Sequence, residues 1–301
     1  MSTIRYAINP LQWLATPDGW LDFNAGPPYP QLLEEIKAAG FDAINLPMST
    51  PVTPGIDEAK DEYRSALESA DVQPAPGYLS GQMQDPAERE GIVARATSLA
   101  RAHAEFGVTE VFVACGMRPD AVRVAHPARG YDPDPARLEE IAKTLEQVGQ
   151  ATLAEGVTSC FHQHVGTWVE VEDEVEWILD RVDAEVLALG PDSGHLAWAG
   201  IDPVALVQRH AGRVRSVHLK DARLSVAERY RGDDAAGYRD VVGAGLWVEP
   251  GRGELDLQAF LDALPEDFDG WAIVEVDKHD LPTPQESAKA SADWIRRAGV
   301  A

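Results

Sequence analysis

The sequence predicts an α/β protein, a single (β/α)8 barrel over residues 1–301 with long βα loops above the C-terminal face of its strands. Short apolar runs of strand type alternate with helix-type periodicity about eight times along the chain. No break in composition divides it, and 45% hydrophobic content over 301 residues is enough for one large core. Polar clusters rich in histidine and acid follow directly on several of the apolar runs, which is where a parallel α/β fold collects its ligands.

The strand-type runs fall at 5–8, 43–46, 73–77, 110–114, 158–161, 186–189, 214–219 and 271–276. Helical patterns lie between them, at 29–39, 87–106, 135–155, 173–182, 202–211 and 284–297, several ended by a glycine such as Gly40, Gly107 or Gly156. The connections 12–28, 115–134 and 222–253 are too long to be simple turns. Each follows a strand on the same side of the expected barrel, so they read as lids over a site or as loop tips. No internal repeat or low-complexity tract interrupts the alternation.

Fifty acidic against 26 basic side chains give a formal charge of −24, which repels a phosphate backbone and argues against nucleic acid as a partner. High solubility is the plain consequence. No apolar run approaches the roughly 18 to 20 residues of a membrane span, and the first residues lack the pattern of a signal peptide, so the expectation is a cytoplasmic protein with no membrane partner. Cys115 and Cys160 are too few for a disulfide framework and read as reduced thiols buried in strands.

Chemistry concentrates at the strand ends. The fifth run leads into His162-Gln163-His164, whose alternate spacing places both imidazoles on one face of a strand. Such a pair can bind a metal together, or one can bind while the other moves protons, or both can be ordinary hydrogen-bonded histidines. Asp192 follows the sixth run among Gly190, Pro191 and Gly194, a context that turns the chain sharply around the carboxylate, and His195 can enter the same space. His218 sits between Val217 and Leu219 at the end of the seventh run, as an inward ligand or a satisfied core histidine. Glu275 lies in the otherwise apolar eighth run, where a lone carboxylate is costly to bury unless paired or bound to a cation.

His162, Asp192, His218 and Glu275 together form a nitrogen and oxygen set that suits manganese, cobalt, zinc or iron better than calcium. Two neutral imidazoles and two carboxylates leave a divalent ion neutral and open to a substrate oxygen, an arrangement that polarises a carbonyl. Trp13, Trp168, Trp198 and Trp247 fall near strand ends or within long loops, where they can stack on a sugar ring or simply pack. Lys220, Asp221 and Arg223 follow His218 and can bind substrate hydroxyls or form salt bridges.

These residues resemble the sugar-phosphate isomerase/epimerase superfamily of xylose-isomerase-like TIM barrels, and within it the inosose dehydratase branch. The resemblance spans nearly the whole chain. It is carried by Asn9-Pro-Leu-Gln-Trp13, Ala38-Ala-Gly-Phe-Asp-Ala-Ile44, Cys160-Phe-His162-Gln-His164-Val-Gly-Thr167, Pro191-Asp192-Ser-Gly-His195-Leu196, Val217-His218-Leu-Lys220-Asp221, Pro250-Gly-Arg-Gly-Glu-Leu-Asp256 and Gly270-Trp-Ala-Ile-Val-Glu275. Many relatives carry a glutamate where His162 stands and an acidic residue where Asn45 stands. The His-x-His-x-Gly-Thr stretch is similar to the dehydratase branch and favours a lyase over the epimerases.

The resemblance implies a divalent metal ion, manganese first with cobalt, zinc or iron also suited, held by His162, Asp192, His218 and Glu275. It implies loss of water from a polyhydroxy ketone, a cyclitol or keto-sugar, through an enediolate-type intermediate. His164 is then the proton-transfer residue, Glu275 a ligand and second base, and Trp13, His195, Lys220 and Arg223 contact the substrate. The alternatives are epimerisation or isomerisation of a ketose, β-elimination from a 3-keto-glycoside, or a sugar-binding barrel without catalysis. Proteins of this resemblance often form homo-oligomers.

Overall fold

The computed structural model describes residues 3–48 and 54–298. In chain order its elements are β1 (Thr3–Asn9), α1 (Tyr29–Ala39), β2 (Ala43–Asn45), α2 (Lys60–Ala70), β3 (Gln73–Ala75), β4 (Tyr78–Gly81), α3 (Arg89–Glu105), β5 (Glu110–Cys115), α4 (Val122–Ala125), α5 (Pro135–Ala154), β6 (Thr158–Phe161) and α6 (Glu172–Arg181). There follow β7 (Leu187–Leu189), α7 (Ser193–Trp198), α8 (Pro203–Arg209), β8 (Ser216–Leu219), β9 (Asp221–Ala222), α9 (Leu224–Tyr230), α10 (Tyr238–Gly243), β10 (Trp247–Val248), α11 (Leu257–Asp262), β11 (Asp269–Glu275) and α12 (Pro284–Arg297).

The strands run parallel in the order β3-β2-β1-β11-β8 and β4-β5-β6-β7. Isolated parallel bridges Leu189↔Val214 and Asp192↔His218 join β7 to β8. At the other seam, β3 and β4 are two pieces of one strand, so the expected barrel order is complete. The ribbon of β9 and β10 is antiparallel and lies inside the long connection after β8, and an isolated antiparallel bridge joins Ala15 to Leu21 in the connection after β1.

The expected strand at 73–77 is where the structure departs most from the sequence pattern. Pro76 has no N–H to donate, and the ladder breaks there before resuming at Tyr78. The Gly77 N–H turns outward to His103 Nε2 on α3, at 2.9 Å. A Cβ on Gly77 would lie 2.8 Å from that nitrogen and from the Leu46 carbonyl oxygen, so the break needs glycine. The strand then runs on to Gly81, which carries Tyr78 toward the barrel mouth.

Helices cover the outside of the barrel because their apolar positions recur at helical spacing. Along α5 these are Ile141, Leu145, Val148 and Thr152, with Asp134 capping the first turn ahead of Pro135. A large apolar layer lies between strands and helices. A smaller cluster, Ala7, Ala43, Ala75, Phe112, Cys160, Ala188, Trp271 and Ile273, fills the barrel itself. Its small members leave room for Phe112, whose ring centroid lies 4.1 Å from that of His218 and so forms a floor beneath the polar centre. Cys115 and Cys160 are free and buried, as the sequence suggests. No helix among the described residues is long and apolar enough to cross a membrane.

Candidate metal centre and active site

Register builds the site. The seven residue pairs between β1 and β11 end on Asn9 opposite Glu275, so the first and last strands deliver neighbouring side chains although 266 positions separate them. The Asn9 amide donates to Glu275 Oε2. On the other side of β11, Ile273 pairs with His218, and His218 is bridged in turn to Asp192. His162 follows β6, its backbone N–H donating to Val113 at 2.8 Å. The strand ends therefore converge as the fold class requires.

His162, Asp192 and His218 place one ligand atom each within 4.8 Å of one another, and Asp192, His195 and Glu275 form a second such group. Glu275 also approaches His218 directly, with 3.2 Å from Oε2 to Nδ1. All of these side chains are buried. His162 Nδ1, Asp192 Oδ2 and His218 Nε2 have no hydrogen-bond partner. Buried polar atoms are nearly always paired, so several lone pairs converging without donors fit a divalent cation. The remaining oxygen, Asp192 Oδ1, caps α7 by accepting the His195 N–H at 2.8 Å, which fixes the direction of the free one.

Lys220 lies immediately beside this group. Its ammonium is 2.6 Å from Glu275 Oε1, 2.9 Å from Asp277 Oδ1 and 3.9 Å from Asp192 Oδ2, and it donates to His195 Nε2 at 3.2 Å. A side chain on Gly194 would collide with the Lys220 stem at 2.7 Å and with Trp247 at 2.8 Å, so glycine permits the close approach. Burial disfavours the charge on Lys220, but Asp277, Glu275 and Asp192 outweigh it and raise its pKa well above the ordinary lysine range. For Glu275 burial again works toward neutrality, while the adjacent Lys220 charge holds it far below the usual carboxylate range. Asp277 goes the other way: burial pushes it up to about 7 despite Lys220.

Burial also holds His164 down to about 4 and His162 and His195 well below the ordinary histidine value, so these imidazoles are neutral at neutral pH. The tautomer of His164 follows from its partner. Its Nδ1 lies 2.7 Å from the Val165 carbonyl, which can only accept, so Nδ1 donates and Nε2 keeps its lone pair.

Above the centre lies a cavity of about 540 Å³. His162, His164, Glu275 and Asp277 form part of its polar floor, with Asn9, Asn45, Tyr78 and Tyr238 beside them. Trp13 lines it as well, its indole N–H spent on Glu35 at 2.7 Å. His195 and Lys220 do not reach the lining; they sit behind His164 and Glu275, the His195 ring 3.8 Å from that of His164.

Arg223, expected to contact the substrate, does not line the cavity. It makes a two-pronged ion pair with Asp280 at 2.9 and 2.7 Å, because the chain after Lys220 has already turned into the β9–β10 ribbon. Asp221 accepts the backbone N–H groups of Ala222, Gly251, Gly253 and Leu255 and so anchors the loop after β10. Trp168 stacks on Arg137, and Trp198 and Trp247 pack behind His195. Tyr78, Tyr238 and Asp277 escaped the sequence reading. Tyr78 is hidden by the strand break and Tyr238 stands in a short helix inside a long loop. Asp277 had a signal, since it keeps the parity of Glu275 beyond the end of the strand.

A parallel α/β barrel with a buried histidine and carboxylate centre at its strand ends defines a class of protein, the barrels that work at the carboxyl face of the sheet. The match is more particular than that: residues 33–298 fit the model of the xylose isomerase-like TIM barrel family, and the chain belongs to it. It is similar to the rhizopine catabolism protein MocC of Rhizobium meliloti, at 29% identity over 286 residues, covering 92% of this chain and 83% of that one. Inosose dehydratase 2 of Bacillus cereus (strain ZK / E33L) is 24% identical over 306 residues, 99% of each chain. Among solved structures, that of the IolI protein with a bound zinc atom superposes with a TM-score of 0.66, at 16% identity and 98% coverage of both chains.

Proposed function

We propose that the protein is a divalent-metal-dependent carbon–oxygen lyase that removes water from a polyhydroxy ketone. The observation that carries this reading is the set of unpartnered donors on His162, Asp192 and His218 beneath a cavity floored by His164 and Glu275. The full-length likeness to an inosose dehydratase supports the choice of a cyclitol ketone as substrate. A metal ion held by His162, Asp192 and His218, with Glu275 alongside, would supply Lewis acidity toward the substrate carbonyl.

The chain's own residues supply the rest. His164 presents Nε2 as a neutral base to the carbon acid beside the ketone, with Nδ1 locked on Val165 so that the ring cannot present the wrong nitrogen. The proton that His164 takes from carbon passes to the neighbouring hydroxyl as its C–O bond breaks, so the elimination releases water and returns the imidazole to its neutral form. His195 and Lys220 act as positioning residues, the first by backing the His164 ring and the second by bridging the carboxylates of Glu275 and Asp277. Asp277, Tyr78 and Tyr238 offer polar contacts to substrate hydroxyls from the cavity wall.

The test is direct. Protein loaded with manganese, zinc or cobalt is incubated with 2-keto-myo-inositol, and the ultraviolet absorbance of the unsaturated diketone-type product is followed. Metal-dependent absorbance that chelation abolishes is the expected result. Epimerisation of a ketose with no absorbance change would overturn the lyase assignment, and absence of bound metal under saturating manganese would overturn the metal.

A further inference from the structure

The cavity is far more apolar than a bare polyol requires. Its floor is polar, but its wall is supplied mainly by the connection after β1, which contributes Leu11, Trp13, Trp20, Leu21 and Phe23, with Met117 from the connection after β5. At about 540 Å³ it is of the size that encloses a drug-like ligand. A six-membered ring of hydroxyls, roughly a dozen non-hydrogen atoms, occupies only part of such a volume. Hydroxyls placed against the wall would lose water without gaining a partner. The indoles are also fixed in place: Trp13 is tied to Glu35, and Trp20 meets the edge of Tyr238 and lies under Arg239 at 4.2 Å. Phe23, by contrast, is 38% exposed, so its ring stands at the open rim of the cavity.

We propose that the connection after β1 forms a second subsite for an apolar, planar substituent carried by the polyhydroxy ketone, so that the favoured substrate is an aryl-bearing ether of the ring. The inference rests on the lyase reading for the ring itself. Continuity argues for this occupant: the wall and the catalytic floor belong to one cavity, so a group attached to the bound ring shares it with Trp13 and Trp20. Flat aromatic walls favour a flat apolar group, which removes surface from water without leaving a polar atom unpaired.

Binding of O-benzyl-myo-inositol and of myo-inositol to the full-length, manganese-loaded protein, measured by calorimetry, tests the subsite without relying on turnover. The expected result is at least tenfold tighter binding of the benzyl ether, with that ratio reduced severalfold in Phe23→Ser and further in the double variant with Trp20→Ser. Equal affinity for the two ligands would overturn the proposal. So would a dimer, seen by sedimentation, that Phe23→Ser dissociates while leaving the affinity ratio unchanged, because the wall would then be a subunit contact. A preference for the benzyl ether without turnover of 2-keto-myo-inositol would uphold the subsite and count against the lyase reading alone.

Discussion

Arg123 and Lys220 are both buried cations at the carboxyl ends of the strands, and each faces acidic side chains. Arg123 reaches Glu170 at 3.2 Å and Glu174 at 2.6 Å. The oxygens of Glu170 also accept the backbone N–H groups of Ala128, Arg129, Gly130 and Gly166, and Glu174 accepts those of Glu170 and Val171. The carboxylates around Arg123 are therefore saturated, and the cluster pins the connection after β5 to the loop that carries His164. Around Lys220 the acceptors outnumber the donors, with Asp192 Oδ2 and His218 Nε2 left over. Buried charge is common to both regions. Unspent lone pairs are found at one, and they separate a centre built for a ligand from one that holds a loop.

The sharpest way to break this contrast is at the ligands. His218→Gln or Asp192→Asn is expected to abolish metal binding and to lower turnover by roughly 10³ to 10⁴, about 4 to 5.5 kcal/mol in the barrier, while the fold survives. Metal content, the absorbance assay and circular dichroism together check it. Arg123→Met should do the reverse, costing about 3 to 5 kcal/mol of stability in urea unfolding because it strands two buried carboxylates, while turnover per folded molecule changes little. A turnover loss exceeding the stability loss would place that cluster in the chemistry.

His103 sharpens the comparison among histidines. Its Nε2 accepts from Gly77 and its Nδ1 donates to Leu99 at 2.8 Å, so both nitrogens are spent, whereas His218 Nε2 has no partner. Burial holds its pKa down to about 4 from an ordinary 6.5, so the unfolded chain binds the proton first as pH falls. Its contribution is present above pH about 6.5 and is lost on acidification toward 4, about 2 kcal/mol between pH 7 and 5. Denaturant titrations of the protein and of His103→Gln at the two pH values measure this, and an unchanged pH slope in the variant would contradict it. The smallest effect is expected at Arg223, whose ion pair with Asp280 is partly exposed. Arg223→Ala should cost less than about 1 kcal/mol with KM unaltered, and a tenfold rise in KM would return it to the substrate.

Much of the architecture was legible in the sequence. Alternation of apolar runs with helical periodicity named the barrel, and side chains directly at strand ends, His162, Asp192, His218 and Glu275, could be placed because parallel strands bring those ends to one face. What followed the strands was less legible. One residue past Lys220 the chain enters an antiparallel ribbon, which sends Arg223 to Asp280, and nothing in local spacing announces that turn. Tyr78 was concealed by Pro76, and Tyr238 reaches the cavity from a loop helix with no periodic signal.

The sequence by itself determined the order of the barrel strands, the inward ends of those strands and the kinds of donor gathered there, since each depends on contacts between near neighbours or on strand parity. The tertiary structure alone decided which donors remain unpaired, that Asn9 meets Glu275, and that Lys220 serves the carboxylates behind the wall. Those outcomes depend on closure between the first and last strands and on loops folding over the mouth, contacts between distant segments whose geometry no local pattern encodes.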